Sequence, residues 1–144
     1  MHKINKMKKL LSTKYNENIW SLGLLLLRVT FGLIMMKHGL DKLTDYNNVK
    51  GMNQLFGSPT DALLVIFAEF FCAVFIVLGL FTRFAAIPLI VTMAVAFFKV
   101  HNHIIFCNKC ASGSGEVALL YLVAFTVLLL TGPGKFSVDK MIAK

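Results

Sequence analysis

Four long apolar segments alternate with polar stretches along this chain. They run from about Ile19 to Gly39, from Asp61 to Phe81, from Phe84 to Val100, and from Glu116 to Thr131. Each is close to the ~20 residues that an α-helix needs to cross the hydrocarbon core of a bilayer. Because the connections are short, the pattern predicts an all-α protein, a four-helix transmembrane bundle.

The breaks between the segments support this organisation. A turn over 79–83 makes the second and third segments a tight helical hairpin, and the Gly132-Pro133-Gly134 sequence ends the last segment. We therefore expect a basic N-terminal tail over 1–18, the helical domain over 19–131 and a basic C-terminal tail over 132–144.

Composition agrees with a membrane protein and argues against other classes. Of the 144 residues 57% are hydrophobic and only 15% are charged, against roughly 25% charged in a typical soluble domain. Mean hydropathy is +0.72, so the lipid bilayer is the expected solvent. The net charge of +8 comes mainly from lysines at the ends of apolar segments, and the missing basic face excludes nucleic-acid binding.

The charges of the loops predict the topology. Lysines crowd the N-terminal and C-terminal tails, and Arg83 occupies the middle turn, whereas the other two loops hold fewer cations and carry Asp41, Asp45 and Asp61. The positive-inside rule then places both termini in the cytoplasm. We expect a multi-pass protein of the bacterial cytoplasmic (inner) membrane.

Two charged residues stand inside apolar segments. Arg28 and Glu69 would each cost at least ~2.5–3.5 kcal/mol near the bilayer centre, so they should face the bundle interior and have partners. Counted from their helix ends at 1.5 Å per residue, they lie about 13 and 12 Å deep from opposite sides. In a core of ~30 Å these heights nearly coincide, which predicts an Arg28–Glu69 ion pair. Such a pair either fixes helix register or serves binding of a polar head group or proton movement.

Small residues accompany Arg28 along one helix face. Gly32, Met35 and Gly39 recur at helical spacing after it, and glycines there permit a neighbouring helix to approach closely. Cys72 is expected to be a buried, inert side chain on the opposing helix.

Most of the residues that could react with thiols or bind a metal ion lie on the predicted outer side. Cys107 and Cys110 form a C-x-x-C motif, preceded by His101 and His103. Three interpretations stay open: a static disulfide, an exchanging thiol pair whose reactivity Lys109 would raise, and a metal site, since two histidines and two cysteines are a zinc-type ligand set.

Proton transfer is a second chemistry available on this side. His38, His101 and His103 are able to titrate near neutral pH, and Glu116 begins the segment beside them. Together they would carry protons during a redox step.

These residues resemble the DoxX family of small membrane proteins. The runs Arg28–Gly32 and His38–Leu43 resemble its first helix, and Glu69 with Leu78–Arg83 resembles its second helix and turn. The likeness covers roughly residues 20–131. It implies a four-helix bundle and an association with thiosulfate:quinone oxidoreductase subunits and membrane complexes of thiol redox balance. It carries over Arg28, His38, Lys42, Glu69 and Arg83 as motif positions.

Residues and resemblance together predict a membrane redox subunit that couples oxidation of thiol or sulfur compounds to membrane quinone. The alternative is a non-catalytic membrane scaffold or lipid-binding protein that recruits soluble redox enzymes. A third possibility is a metal carrier. Whether the chain is itself an enzyme stays open. Expected partners are lipid, quinone, a soluble redox enzyme and a second copy of the chain. The candidate catalytic residues are Cys107, Cys110, His38, His101 and His103, with no resident metal. The candidate substrate-binding residues are Arg28, Glu69, Lys42 and Glu116.

Overall fold

The computed structural model describes residues 16–46, 60–101, 105 and 115–142, and all regular structure within these ranges is helical. The all-α prediction is confirmed for them. The first helix, α1 (Glu17–Thr44), follows Asn16, whose Oδ1 accepts a hydrogen bond from the backbone N–H of Asn18 at 3.0 Å. This side-chain cap satisfies a backbone donor that the first helical turn leaves unpaired.

The second helical stretch contains a π-helical turn. It consists of α2 (Thr60–Ile66), the π-helical turn Phe67–Cys72 and α3 (Ala73–Leu78), which follow one another without a break. It ends at Gly79, whose φ of 70° is the left-handed conformation that glycine adopts at low cost after a helix.

The third and fourth stretches complete the packed part of the chain. The third is α4 (Thr82–Val95), followed directly by a second π-helical turn, Ala96–Val100. The fourth is α5 (Glu116–Thr131), and a short helix, α6 (Val138–Ile142), lies near the C-terminus.

Helix α1 is longer than its apolar segment predicts. The segment ends at Gly39, but the helix continues to Thr44 and so includes Asp41 and Lys42. Hydropathy marks where a helix leaves an apolar environment, whereas hydrogen bonding decides where it ends. The five added residues, Leu40 to Thr44, place Lys42 on the same helix as Arg28.

Helical stretches that follow one another along the chain pack against each other, and the first also contacts the last long helix. Helix α1 contacts α3 and the first π-helical turn, α4 contacts α3 and α5, and α1 also touches α5. Their shared core consists of mainly apolar residues with little exposed surface, including Leu24, Met35, Cys72, Ala73, Ile76, Ala86, Leu89, Phe125 and Leu128.

The predicted seam of small residues is confirmed. The buried residues of α1 include Arg28, Gly32, Met35 and Gly39. A Cβ atom placed on Gly39 would lie 2.6 Å from the backbone nitrogen of Phe70. Only glycine allows the first π-helical turn to approach α1 this closely.

The outward surface of the helices is strongly apolar. Two helical stretches, Glu17–Thr44 and Thr82–Val100, are long and apolar enough to cross a membrane by length and composition, and Ala62–Leu78 and Glu116–Thr131 are apolar but shorter. The large side chains that stay at least half exposed include Leu22, Leu26, Leu63, Phe67, Phe84, Leu120, Val123 and Leu130. Contiguous apolar surface of this kind suits contact with lipid.

Candidate functional site

The carboxylate of Glu69 is paired with Lys42. Lys42 Nζ lies 2.6 Å from Glu69 Oε1, with the Glu69 side chain only 3% exposed and the Lys42 side chain 28% exposed. Glu69 belongs to the first π-helical turn and Lys42 to the last turn of α1. π-Helical turns inside α-helices often occur at functional sites, because the extra residue displaces side chains from the regular helical positions.

The predicted Arg28–Glu69 ion pair is wrong. Gly39 packs on the backbone of Glu69, whereas Arg28 lies against Gly79. Arg28 is eleven residues before Gly39, about 16 Å away along the helix. The depth estimate assumed that the ends of the two apolar segments lie at the same level, whereas Arg28, well inside α1, lies against Gly79 directly after the end of α3.

Arg28 instead contacts the C-terminal segment. It is 3% exposed, and its guanidinium donates hydrogen bonds to the carbonyl oxygens of Pro133, at 3.4 Å, and Phe136. In the same segment, the backbone N–H of Asp139 donates to the carbonyl of Gly79 at 2.9 Å. Arg28 therefore holds the segment after α5 against the turn between α3 and α4, and it is not part of the Glu69 site.

A small cavity adjoins the Lys42–Glu69 pair. Its volume is about 160 Å³. Residues from α1, both π-helical turns, α4, α5 and the position after the second π-helical turn line it: Met35, His38, Lys42, Glu69, Met93, Ala96, His101, Val117, Ala118 and Tyr121. The structure thus brings together His38, Lys42, Glu69 and His101, four of the residues selected from the sequence.

Two polar atoms at this cavity are buried without a hydrogen-bond partner in the described part of the chain. They are Glu69 Oε2 and His101 Nδ1. A buried polar atom normally has a partner, since leaving it unpaired costs about 1–3 kcal/mol. An acceptor and a ring nitrogen that both lack partners beside one cavity are the arrangement expected where a polar ligand or water enters.

Tyr121 is a site residue that the sequence analysis missed. Its ring is 5% exposed and lies edge-on to His38, with ring centroids 6.3 Å apart, and edge-on to Phe31 at 5.4 Å. It is the only tyrosine inside the four apolar segments. A tyrosine inside a long apolar segment was the available signal, because a buried tyrosine usually needs a polar neighbour for its O–H group.

Of the remaining predicted site residues, the two that the structure describes, Arg28 and Glu116, are not among those that line the cavity. Glu116 begins α5 directly before Val117, which does line it. Cys107, Cys110 and His103 lie outside the described residues. Among the residues that are described, no three His, Cys, Asp or Glu side chains are grouped as a metal ion would require.

The apolar surface of the helices indicates a helical membrane protein. Within that class, the sequence profile of the DoxX family matches residues 23–102, more than half of the chain, and the protein belongs to this family. The match includes all of the predicted motif positions, from Arg28 to Arg83.

Several relatives extend the similarity over most of the chain. An uncharacterized Haemophilus influenzae protein is 32% identical over 82% of this chain and 89% of its own length. The Escherichia coli inner membrane protein YqjF is 27% identical over 89% of this chain and 98% of its own. A Bacillus subtilis protein named "Putative oxidoreductase CatD" is 32% identical over 87% and 90% of the two chains. No solved structure matches this chain.

Proposed function

We propose that this protein is a membrane redox subunit that couples the oxidation of thiol or sulfur compounds to membrane quinone, with the quinone ring bound beside Glu69. The observation that carries the proposal is the cavity between His38, His101 and the Lys42–Glu69 pair, in which Glu69 Oε2 has no partner in the described part of the chain. The oxidoreductase name of the Bacillus subtilis relative supports the redox class.

In this function the four helical stretches cross the bacterial inner membrane, with both termini in the cytoplasm. Arg83, Lys135 and Lys140 lie at the end where α1 begins, whereas Asp41 and Asp45 lie at the opposite end. Lys37, Lys42 and Lys99 lie toward that opposite end, so the cation asymmetry of the positive-inside rule comes from the five lysines that precede Asn16 in the sequence. The Glu69 cavity is then nearer the outer side, the side on which the loop with Cys107 and Cys110 is expected.

The dimensions and groups of the cavity fit a single polar ring. About 160 Å³ is below the roughly 300–1,000 Å³ of sites for drug-sized ligands, so the site takes a ring or several waters. Lys42 and the histidines are able to donate hydrogen bonds to carbonyl oxygens, and Met35, Met93 and Tyr121 supply an apolar wall.

The residues of the site would handle protons. Lys42 Nζ pairs with Glu69 Oε1. Glu69 Oε2 is therefore the carboxylate oxygen that remains to accept or release a proton. His38 is exposed and His101 is half-buried, so the two imidazoles connect the cavity with its surroundings. A bound quinone supplies the two-electron acceptor. Oxidation of two thiols breaks two S–H bonds, forms one S–S bond, and releases the two electrons and two protons that conversion of quinone to quinol consumes.

The test uses the full chain in detergent, with its cysteines reduced beforehand. A fully substituted ubiquinone analogue is added, because it has no ring carbon open to thiol addition, and the state of Cys107 and Cys110 is followed by thiol trapping. We expect the quinone to oxidise the pair, and Glu69→Gln to slow the reaction at least about a hundredfold, the lower end of proton-transfer effects. Glu17→Gln, at the exposed far end of α1, is the matched control.

Two results would overturn this function. One is a pair that the quinone does not oxidise, and the other is a Glu69→Gln protein that reacts as fast as the wild type. A Cys107–Cys110 bond that resists reduction below about −300 mV would mark a structural disulfide and favour the scaffold alternative.

A further inference from the structure

The Glu69 cavity reaches the protein surface between α1 and α5. The residues of its inner wall are buried: Met35, Glu69, Met93, Ala118 and Tyr121. His38 of α1 and Val117 of α5 line the same cavity, yet His38 is exposed and Val117 is 54% exposed. These two side chains therefore form the rim of an opening on this side of the protein.

We propose that this opening is a lateral entrance through which a tailed quinone reaches Glu69 from the lipid, with its ring in the cavity and its tail left outside between α1 and α5. The inference rests on the proposed function for the identity of the ring. It adds the route by which the acceptor enters and the two residues that control this route, His38 and Val117.

The rim lies on the lipid-facing surface of both helices. On α5, Val117 shares an exposed apolar face with Leu120 and Val123. On α1, His38 follows the exposed Ile34 by four residues, and residues four apart lie on one helix face. An entrance between two exposed apolar faces opens toward hydrocarbon, the phase in which a tailed quinone dissolves.

The depth of the rim suits a ligand with a polar ring and an apolar tail. His38 lies one residue before the end of the first apolar segment, and Val117 lies one residue after the start of the last. Both are therefore close to the boundary between hydrocarbon and head groups. Ile34 and Leu120 lie about 6 and 5 Å nearer the bilayer centre, at 1.5 Å per residue. A tail that leaves the cavity at this level would lie against these two side chains.

Aromatic contacts close the interface between α1 and α5 below the entrance. The ring of Phe31 lies edge-on to the ring of Tyr121, with centroids 5.4 Å apart. Tyr121 is stacked on Phe125 at 5.8 Å, and its other edge-on neighbour is His38. Because these rings fix the inner edge of the entrance, the side chains at positions 38 and 117 set its width.

The experiment is photolabelling of the full-length protein in lipid nanodiscs. Two decyl-tailed ubiquinone analogues are used, one with an azide on the ring and the other with a diazirine at the end of the tail. Labelled residues are identified by mass spectrometry, and only labelling that excess decylubiquinone removes is counted. We expect the ring probe to label the cavity wall at Met35 or Tyr121, and the tail probe to label Ile34 or Leu120.

Matched variants test the rim. Val117→Trp adds an indole ring at the entrance and should abolish labelling of the cavity wall by the ring probe. Val123→Trp adds the same group to the same exposed face of α5, outside the cavity, and should leave this labelling unchanged. Since both side chains are exposed, neither substitution disturbs the packed core. Equal labelling of the two variants would overturn the inference.

The outcomes separate the entrance from the redox function. If the ring probe labels the cavity wall but the tail probe labels Lys42 or His101 in place of Ile34 and Leu120, the lateral entrance is wrong and the quinone site stands. If the ring probe labels no residue of the cavity, the site and its entrance are both wrong. The expected labelling supports the entrance even where the quinone fails to oxidise the cysteine pair, a result that refutes the redox step alone.

Discussion

Gly39 and Glu69 touch through their backbones. A Cβ atom on Gly39 would lie 2.7 Å from the carbonyl carbon of Glu69, too close for any side chain. This approach brings the last turn of α1 against the first π-helical turn and places Lys42, three residues further on, within 2.6 Å of the Glu69 carboxylate. The position of the ion pair thus depends on Gly39, which takes no part in the pair and acts only through its lack of a side chain.

Gly39→Ala should therefore damage the Glu69 site. The added methyl group meets backbone atoms that cannot rotate away, so we expect a loss of about 1–3 kcal/mol in the free energy of unfolding. SDS titration in mixed micelles measures it. Gly23→Ala, where the methyl group meets open space, is the control and should be neutral or stabilising by up to about 1 kcal/mol. Equal effects of the two variants would contradict the close approach.

Lys42→Met should leave the buried carboxylate of Glu69 without its partner. Breaking a fully buried ion pair costs about 3–5 kcal/mol; since Lys42 is 28% exposed, we expect about 2–3 kcal/mol. The same SDS titration reports it. Lys42→Met combined with Glu69→Gln should recover part of the loss, because the amide carries no charge. A double variant that is as unstable as the sum of the two singles would argue against the pair.

Arg28→Met should loosen the segment after α5. The guanidinium donates to two carbonyl oxygens there, and methionine donates none, so a loss of about 1–3 kcal/mol of local stability is expected. Limited trypsin digestion in detergent provides the measurement, since cleavage after Lys135 and Lys140 should become faster.

Two further variants sharpen the Arg28 prediction. Arg28→Lys should rescue poorly, because an ammonium group lacks the planar fork that reaches two acceptors. Arg83→Met, which removes an exposed arginine at the same end, should digest like the wild type. Unchanged digestion of Arg28→Met would contradict its anchoring role.

Asp139→Ala should destabilise the start of α4. Asp139 accepts hydrogen bonds from the N–H groups of Phe81 and Thr82 and from Thr82 Oγ1, so it acts as an N-cap supplied from a distant part of the chain. Loss of such a cap costs about 0.5–2 kcal/mol. Thermal unfolding measures the change, and Lys140→Ala, its exposed neighbour, is the control. A melting temperature equal to that of the control would refute the capping role.

The amino-acid sequence by itself determined the helices and the face of α1 that is buried. Apolar residues in runs of about twenty predict helices wherever they occur, and α5 begins and ends at the predicted residues, Glu116 and Thr131. The burial of Gly32, Met35 and Gly39 follows from their helical spacing, because residues three and four apart lie on one face.

Only the tertiary structure decided which charges meet. Arg28 and Glu69 were the predicted pair because both interrupt apolar segments, yet the contact between Gly39 and the Glu69 backbone sets a register that brings Lys42 to Glu69. The π-helical turn that presents Glu69, and the return of the C-terminal segment to Arg28, leave no mark in hydropathy. Hydropathy is a property of each segment alone, whereas register and partner choice arise from the packing of one helix against another.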